Sequence, residues 1–215
     1  MANVELSKDL LSDRIYDILR ASILDGSREP GSRLVESEIA RGMNVSQAPV
    51  REAVKRLVHE GLVTSEPRRG SYVTAISPDE FVIARQLRAA IESVGARSAI
   101  SSLANGDLVD LRNIVAKMRT AVVAGDWAEF RSLDMRFHER VLLIGGHAVL
   151  ARVWAVLEPL LVSQRAIGDP AYTGDRAAVV EWHDDLIAAL EAGDPEAASA
   201  AFFAHASGAL GGDNR

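Results

Sequence analysis

The stretch VSQAPVREAVKRL, from Val45 to Leu57, decides the fold of the N-terminal part of this 215-residue chain. Its apolar side chains, with the valine directly after it, recur at the three- and four-residue spacing of one helix face: Val50, Val54, Leu57 and Val58. Its long polar side chains recur at four-residue steps on the opposite face: Gln47, Arg51 and Lys55. Such a helix buries one side and presents amide and cationic groups on the other.

The sequence before this helix predicts two further helices and a tight turn. Apolar residues recur at helical spacing over residues 10–23, and Gly26 ends that helix. A short helix follows over residues 36–41, and the turn after it contains Asn44, which suits a left-handed backbone conformation. Ser46 is expected to cap the third helix with its hydroxyl group, because serine is a preferred residue at helix N-termini.

The segment after this helix predicts a β-hairpin. Residues 62–65 and 71–75 are short extended runs, and the EPRRG turn between them contains Pro67 and Gly70. Two short helices around a tight turn, followed by a hairpin, are the elements of a winged helix-turn-helix. In that motif the second short helix enters the major groove of DNA.

The predicted motif offers DNA contacts on its recognition helix and on its wing. Arginine and glutamine favour bidentate contacts with guanine and adenine, whereas lysine more often contacts phosphate. Two arginines beside a glycine at the wing tip can approach the narrow minor groove closely. A basic solvent face is also common on ordinary surface helices, so charge alone does not decide the matter. The predicted DNA-binding residues are Ser46, Gln47, Arg51, Lys55, Arg68, Arg69 and Gly70.

The remainder of the chain predicts only helices, so the fold class is mainly α. Ser77 can cap a new helix with Pro78 at its first position, and we therefore divide the chain into residues 1–76 and residues 77–215. The second part is expected to form an all-helical bundle of about six helices. We predict these helices near residues 78–100, 107–124, 126–143, 148–167, 175–192 and 195–209.

Composition and charge narrow the class of protein. Residues 1–76 carry 11 basic and 11 acidic side chains, whereas residues 77–215 carry 13 against 19, so the net charge of -6 belongs to the second part. No apolar run approaches the roughly 18 residues of a membrane span, and we expect a cytoplasmic protein without a membrane partner. The chain has no cysteine, which excludes disulfides and thiolate metal sites.

Polar residues on apolar helices of the second part suggest a metal site. Asp134 and His138 are four residues apart, so one helix face presents a carboxylate and an imidazole together. His183 and His205 lie on two other apolar helices, where an unpaired imidazole would be costly to bury. Three imidazoles and one carboxylate suit a divalent metal ion, with zinc or nickel favoured. The alternative is that these are surface histidines, or core histidines with ordinary hydrogen-bond partners.

The N-terminal residues resemble a known family. The run PGSRLVESEIARGMNVSQAPVREAVKRLVHEGLV, followed by PRRGSYV, is similar to the DNA-binding half of GntR-type bacterial transcription regulators. The resemblance implies that Gln47, Arg51 and the wing around Arg69 and Gly70 contact the operator. Many family members have Ser-Arg-Thr-Pro where this chain has Ser46-Gln47-Ala48-Pro49. The operator sequence therefore does not follow from the resemblance.

The second part resembles the FCD effector-binding domain of the FadR subfamily. The similar stretches are LRAAIESVGARSA, LDMRFHERVL, WHDDLIAAL and AFFAH. The resemblance to metal-binding members implies that the metal ligands are Asp134, His138, His183 and His205. It also implies that the effector is a small carboxylic acid that completes the coordination of the metal, and not an acyl-CoA.

An arginine in the first helix of this domain is the best candidate to bind the acid. The planar guanidinium of Arg88 matches the two oxygens of a carboxylate, although a salt bridge to Glu92 one turn later is an equally good interpretation. Arg165, Gln164 and Trp154 are further candidates to line the pocket.

Two other classes of function compete with the regulator hypothesis. A metal-dependent hydrolase could use three histidines and an aspartate to activate water. However, the zinc-protease helix pattern that begins at His138-Glu139 needs a histidine where this chain has Leu142, and Glu139 points away from the helix face that carries Asp134 and His138. A constitutive DNA-binding protein would not need the polar set of the second domain. We therefore predict a ligand-responsive DNA-binding regulator, not an enzyme, that acts as a homodimer on near-palindromic double-stranded DNA.

Overall fold

The computed structural model describes residues 8–162 and 175–208, which contain nine α-helices and one three-stranded sheet. The N-terminal elements are α1 (Lys8–Leu24), β1 (Arg33–Leu34), α2 (Glu36–Gly42), α3 (Gln47–His59), β2 (Val63–Glu66) and β3 (Gly70–Val73). The C-terminal elements are α4 (Pro78–Ala99), α5 (Asn105–Ala124), α6 (Trp127–Ile144), α7 (Ala148–Val162), α8 (Arg176–Glu191) and α9 (Pro195–Ser207). The predicted mainly α fold is therefore confirmed, with six helices described after Ser77.

Helices α1, α2 and α3 enclose the first hydrophobic core. The predicted apolar face of α3 is buried except at Val58, which is partly buried. It packs with the buried stripe of α1, through these residues: Ile15, Leu19, Val50, Val54 and Leu57. Asn44, in the turn between α2 and α3, has φ 53°, which is the left-handed conformation predicted from the sequence. This turn directs α3 across α2 and leaves its polar face towards solvent.

The start of α3 differs from the prediction. Ser46 occupies the N-cap position with an extended backbone (φ -73°, ψ 160°), but its side chain makes no capping hydrogen bond. The sequence therefore predicted the N-cap position correctly, but the predicted hydrogen bond from the serine side chain is wrong. The exposed hydroxyl group of Ser46 is left available to another partner.

The wing contains one more strand than the sequence predicts. Strands β2 and β3 form the expected antiparallel hairpin, with Val63 opposite Val73 and Glu66 opposite Gly70. Strand β1 pairs antiparallel with the other edge of β3, so the strand order is β1-β3-β2. A two-residue strand is too short to show an alternating pattern, and only its pairing with β3 reveals it.

The C-terminal helices pack around α4 and α6. Ser77 and Glu80 form a reciprocal capping box at the start of α4, with Pro78 at the first helical position, as the sequence predicts. Helix α4 packs against α6, α7 and α9, and α5 packs against α6 and α8. The core between these helices is rich in aromatic and aliphatic side chains that include Leu111, Met118, Phe130, Phe137 and Phe202.

The first helix also contacts the C-terminal helices. Leu24 of α1 packs against an apolar cluster of α4, α6 and α7 that contains Met135 and Trp154. Arg20 lies between Glu60, after α3, and Glu158 of α7, at 3.6 and 3.7 Å respectively. Helix α1 therefore touches both the recognition helix and the bundle.

None of the helices in the described part of the chain is long and apolar enough to cross a membrane.

Leu57→Ala should lower the free energy of unfolding by about 2–5 kcal/mol, because it leaves a cavity in the first core. Urea denaturation followed by circular dichroism measures this change. Leu143→Ala, at a position that is half exposed on α6, should change the value by less than about 0.5 kcal/mol. Equal effects of the two substitutions would contradict the importance of the α3 apolar face.

Candidate metal centre and DNA-binding surface

Three helices bring the four predicted metal-ligating residues together. Asp134 and His138 lie on α6, His183 lies on α8 and His205 lies on α9. One ligand atom of each residue lies within 4.8 Å of those of the other three. The centroids of the imidazole rings are 4.7 to 5.2 Å apart. His138 and His183 have no exposed surface, so this cluster lies in the interior of the bundle.

The contacts of His183 orient its ring for metal binding. Its Nδ1 lies 2.7 Å from the carbonyl oxygen of Val179, one turn earlier on α8. Because a carbonyl oxygen can only accept a hydrogen bond, Nδ1 carries a proton, and Nε2 is the ring nitrogen left to face a metal ion. Nε2 faces the cluster and lies 3.1 Å from Asp134 Oδ1. This is the tautomer that a metal ligand requires.

Burial and charge set the protonation of the cluster. Burial lowers the pKa of His138, and it lowers the pKa of His205 to about 2 with help from the charges of His138 and His183. Burial alone would raise the pKa of Asp134, but contact with His183 and electrostatic interactions with His138 and Arg88 hold it well below its usual value. Neutral imidazoles beside an ionised carboxylate are the protonation states in which these groups bind metal ions.

Several buried polar atoms of the cluster have no hydrogen-bond partner. These atoms are Asp134 Oδ1, His138 Nε2, His183 Nε2 and His205 Nδ1. Each unpaired buried polar group costs about 1–3 kcal/mol. A divalent cation held by these four residues would relieve this cost, and three imidazole nitrogens with one carboxylate oxygen suit zinc or nickel. The residues present therefore fit a metal ion.

Arg88 lies beside this cluster and forms the salt bridge to Glu92 that the sequence offered as one interpretation, while its role in binding an acid stays a prediction. Its Nη2 lies 3.7 Å from Asp134 Oδ2, and its Nε donates a hydrogen bond to Glu92 Oε1 at 2.5 Å. Its side chain is only 13% exposed. The guanidinium carbon is 6.0 Å from the ring centroid of Trp154, whose side chain is buried. Arg165 and Gln164 lie outside the described residues.

Glu92 is a member of the site that sequence reasoning missed. Its Oε2 lies 2.6 Å from His138 Nδ1, and its side chain is 1% exposed. The only signal for Glu92 in the sequence is its four-residue spacing from Arg88, and this spacing is typical of an ion pair on a helix surface. Its closeness to His138 depends on the packing of α4 against α6, and no spacing along the chain encodes that contact.

The polar face of α3 is open to solvent. Gln47, Arg51 and Lys55 are exposed, and the side chain of Arg51 retains 54% of its accessible surface. Arg51 Nε lies 3.2 Å from Glu36 Oε2, and Lys55 Nζ lies 3.1 Å from Glu52 Oε1. Exposed pairs of this kind contribute about 0–1 kcal/mol. DNA phosphates or base edges can therefore replace these carboxylates at little cost.

The wing presents its cations at the hairpin turn. Arg68 adopts a left-handed conformation (φ 64°), and Arg69 is exposed with its Nη1 3.0 Å from Glu66 Oε2. Gly70 has φ 119°, and a Cβ atom there would lie 3.1 Å from Arg33 Nε. Arg33 of β1 thus adds a cation beside the wing. Sequence reasoning missed it because β1 was not predicted.

The remaining candidates for chemistry lie away from the cluster. His59 and His147 are exposed, and neither belongs to the four-residue cluster. Glu139 is exposed on the other side of α6, where it lines a cavity of about 210 Å³ with Arg20 and Arg131. No general base therefore accompanies the cluster from that position, and the geometry gives no support to the hydrolase alternative.

Comparison with protein families agrees with this arrangement. Residues 11–73 match the family described as bacterial regulatory proteins, gntR family. Residues 84–208 match the FCD domain. The first match covers α1 to β3, and the second covers the helices that carry the His and Asp cluster.

Individual relatives share this organisation. The chain is 30% identical over 200 residues to the "Probable D-xylose utilization operon transcriptional repressor" of Paenarthrobacter nicotinovorans, covering 93% of this chain and 87% of the relative. It is 30% identical over 197 residues to the transcriptional repressor RspR of Escherichia coli, covering 91% and 85%. The fold is also that of E. coli McbR/YncC, with a TM-score of 0.77, 21% identity and coverage of 93% and 95%. The chain therefore belongs to the GntR family of bacterial transcription regulators and carries an FCD domain.

Proposed function

We propose that this regulator senses a small carboxylic acid at a metal ion in its FCD domain, and that the acid changes its affinity for operator DNA. The observation that carries the proposal is the cluster of Asp134, His138, His183 and His205, whose possible ligand atoms lie within 4.8 Å of one another and which contains buried polar atoms without hydrogen-bond partners. Asp134, His138, His183 and His205 would hold the ion, with zinc or nickel as the best candidates. The ion would act as a Lewis acid that binds a carboxylate oxygen.

Two buried donors beside the cluster support an acidic effector. Arg88 Nη2 and Trp154 Nε1 have no hydrogen-bond partner, and Arg88 lies within 3.7 Å of the ligand Asp134. A guanidinium group can donate two hydrogen bonds to one carboxylate. An acid bound to the metal would therefore find a second cation in reach.

We infer that DNA is read by α3 and the wing. Gln47 and Arg51 would contact base edges, Ser46 and Lys55 would contact phosphates, and the wing residues Arg68, Arg69 and Gly70 would follow the minor groove. Their exposure supports this assignment. The protein would act on DNA in the cytoplasm.

A homodimer would supply the two recognition helices that a near-palindromic operator needs. Neighbouring helices α4 and α7 carry exposed aliphatic side chains at helical spacing: Ile83, Leu87, Val94, Val149, Val153 and Val156. Solvent-exposed stripes of this kind mark association surfaces. We therefore assign this face to contact with a second copy of the chain.

Helix α6 provides a physical connection between the two functions. One face of α6 carries Asp134 and His138, and the adjacent face contributes Arg131, Met135 and Glu139 to the cavity beside α1. A shift of α6 on metal and acid binding would therefore reach Arg20, which contacts Glu60 after α3. Coupling between two such sites is typically about 1–3 kcal/mol.

Arg51→Ala should weaken binding to the protein's own operator by about 1–3 kcal/mol and relax its sequence preference, because a bidentate base contact is lost. A mobility-shift titration on wild-type and single-base-substituted operators measures both effects. Arg119→Ala removes an equally exposed arginine from α5 and should leave DNA affinity unchanged. Similar losses in both variants would mean that Arg51 supplies only general charge.

Metal removal should destabilise the wild-type protein. We expect the metal-free protein to take up one divalent ion per chain and to gain thermal stability, since ligand binding to the native state stabilises it. His183→Ala should abolish most of this gain, whereas His147→Ala, at an exposed position, should retain it. Calorimetry and metal analysis provide the measurement. Full metal uptake by His183→Ala would exclude the proposed ligand set.

An acid of the correct class should change operator affinity only in the metal-loaded protein. The experiment is a mobility-shift titration with a panel of sugar acids, hydroxy acids and dicarboxylates, with and without chelator. Arg88→Gln should retain operator binding but lower the apparent affinity for the active acid at least tenfold, because a charge-assisted contact is lost. If the acid still changed operator affinity in the presence of chelator, the metal would not be required for sensing.

A further inference from the structure

Glu92 is the most deeply buried carboxylate near the metal cluster, and each of its oxygens faces a different functional group. Oε1 accepts a hydrogen bond from Arg88 Nε, and Oε2 lies 2.6 Å from His138 Nδ1. The side chain is 1% exposed, so water cannot replace either partner. A carboxylate in such a position persists only where its neighbours compensate its charge.

The contact with His138 decides which ring nitrogen faces the metal centre. With Nδ1 against the carboxylate, Nε2 is directed to the cluster, 3.8 Å from Asp134 Oδ1. The alignment of Nδ1 and Oε2 falls outside that of a regular hydrogen bond, so the carboxylate acts on the ring mainly by its charge. A negative charge beside Nδ1 favours the tautomer with the proton on Nδ1 and leaves Nε2 free to bind metal.

The contact with Arg88 fixes the second cation of the site. Arg88 is four residues before Glu92 on α4, so their bond lies along one helix face. This bond holds the guanidinium group while Nη2 reaches towards Asp134 Oδ2. The same carboxylate thus restrains a metal ligand and the arginine that would bind the acid.

Close packing of α4 on α6 makes this double contact possible. A Cβ atom at Gly95 would lie 2.3 Å from Leu142 Cδ2 and 3.6 Å from Leu142 Cα. Glu92 lies about one turn before Gly95, and His138 lies about one turn before Leu142. The absence of a side chain at Gly95 lets the two helices approach at the level where Glu92 meets His138.

We propose that Glu92 is a positioning residue that holds His138 in its metal-binding tautomer with one oxygen and holds Arg88 beside Asp134 with the other. This inference rests on the proposed function, because it assigns Glu92 to the same metal and acid site. Glu92 would therefore influence both metal affinity and acid recognition without contacting either ligand. Arg88, by contrast, would influence chiefly the acid.

The first test compares zinc affinity in two variants by competition with a chromophoric chelator. Glu92→Gln should lower zinc affinity about 10- to 100-fold, which is the usual effect of removing a carboxylate behind a metal-bound histidine. Arg88→Gln should change it less than about threefold, because Glu92 still faces His138. Glu191→Gln removes an exposed carboxylate of α8 and should leave it unchanged. Zinc affinity within twofold of wild type in Glu92→Gln would overturn the proposal.

The second test reads the tautomer of His138 directly, in the metal-free protein, from ¹⁵N NMR of the histidine side chains. Wild type should show the Nδ1-protonated form at His138, and Glu92→Gln should lose this preference, whereas a purely structural role for Glu92 would leave it unchanged. If Glu92→Gln does not fold, Glu92→Asp can replace it, because it retains the charge with a shorter side chain. Glu92→Asp should show a smaller loss of zinc affinity and a smaller loss of the His138 tautomer preference. An unchanged tautomer in the folded variant would contradict the proposal.

The two proposals can fail separately. Absence of zinc or nickel binding by the wild-type protein would refute the proposed metal function, while the tautomer measurement would still decide the role of Glu92 at His138. Normal metal binding in the wild type with unaltered binding in Glu92→Gln would refute the role of Glu92 alone.

Discussion

The burial of charge inside the C-terminal bundle is the constraint on which the remaining structure depends. Asp134 and Glu92 are almost completely removed from water, and an isolated carboxylate in such a place would be strongly destabilising. Arg88 compensates both, because its Nε bonds to Glu92 and its Nη2 lies near Asp134. Burial lowers the pKa of His138 and His205, so two buried carboxylates here face the single permanent cation of Arg88. A divalent cation is the natural counterpart of such a charge distribution.

This constraint explains why α4 and α6 must pack so closely. Glu92 belongs to α4 and both Asp134 and His138 belong to α6, so the compensation works only across the interface of these helices. Gly95 removes the side chain that would separate them. An adjacent face of α6 borders α1, so the buried charges and the first helix of the DNA-binding part lie against the same helix.

The sequence was most informative where contacts are local. The apolar stripe of α3 and the positive φ of Asn44 follow from spacing and backbone preference, and both are confirmed. The pairing of Asp134 with His138 also follows from a four-residue spacing, whereas their meeting with the two other histidines was implied by the family resemblance. The role of Glu92 was not predicted, because its partner His138 lies on another helix. The serine cap at Ser46 failed because propensity at a helix start specifies a position and not the contact that the side chain makes.

The same distinction accounts for the two kinds of charge in this protein. In the N-terminal part, equal numbers of acidic and basic side chains form exposed pairs such as Arg51 with Glu36 and Arg69 with Glu66. These pairs are weak and screened by salt, so a phosphate can displace the carboxylate, and DNA affinity should depend strongly on ionic strength. In the bundle, the pairs of Arg88 are buried and cannot exchange partners with water. Exposed pairs therefore suit reversible contact with a polyanion, whereas buried pairs suit a site that must keep its geometry while one ligand enters and leaves.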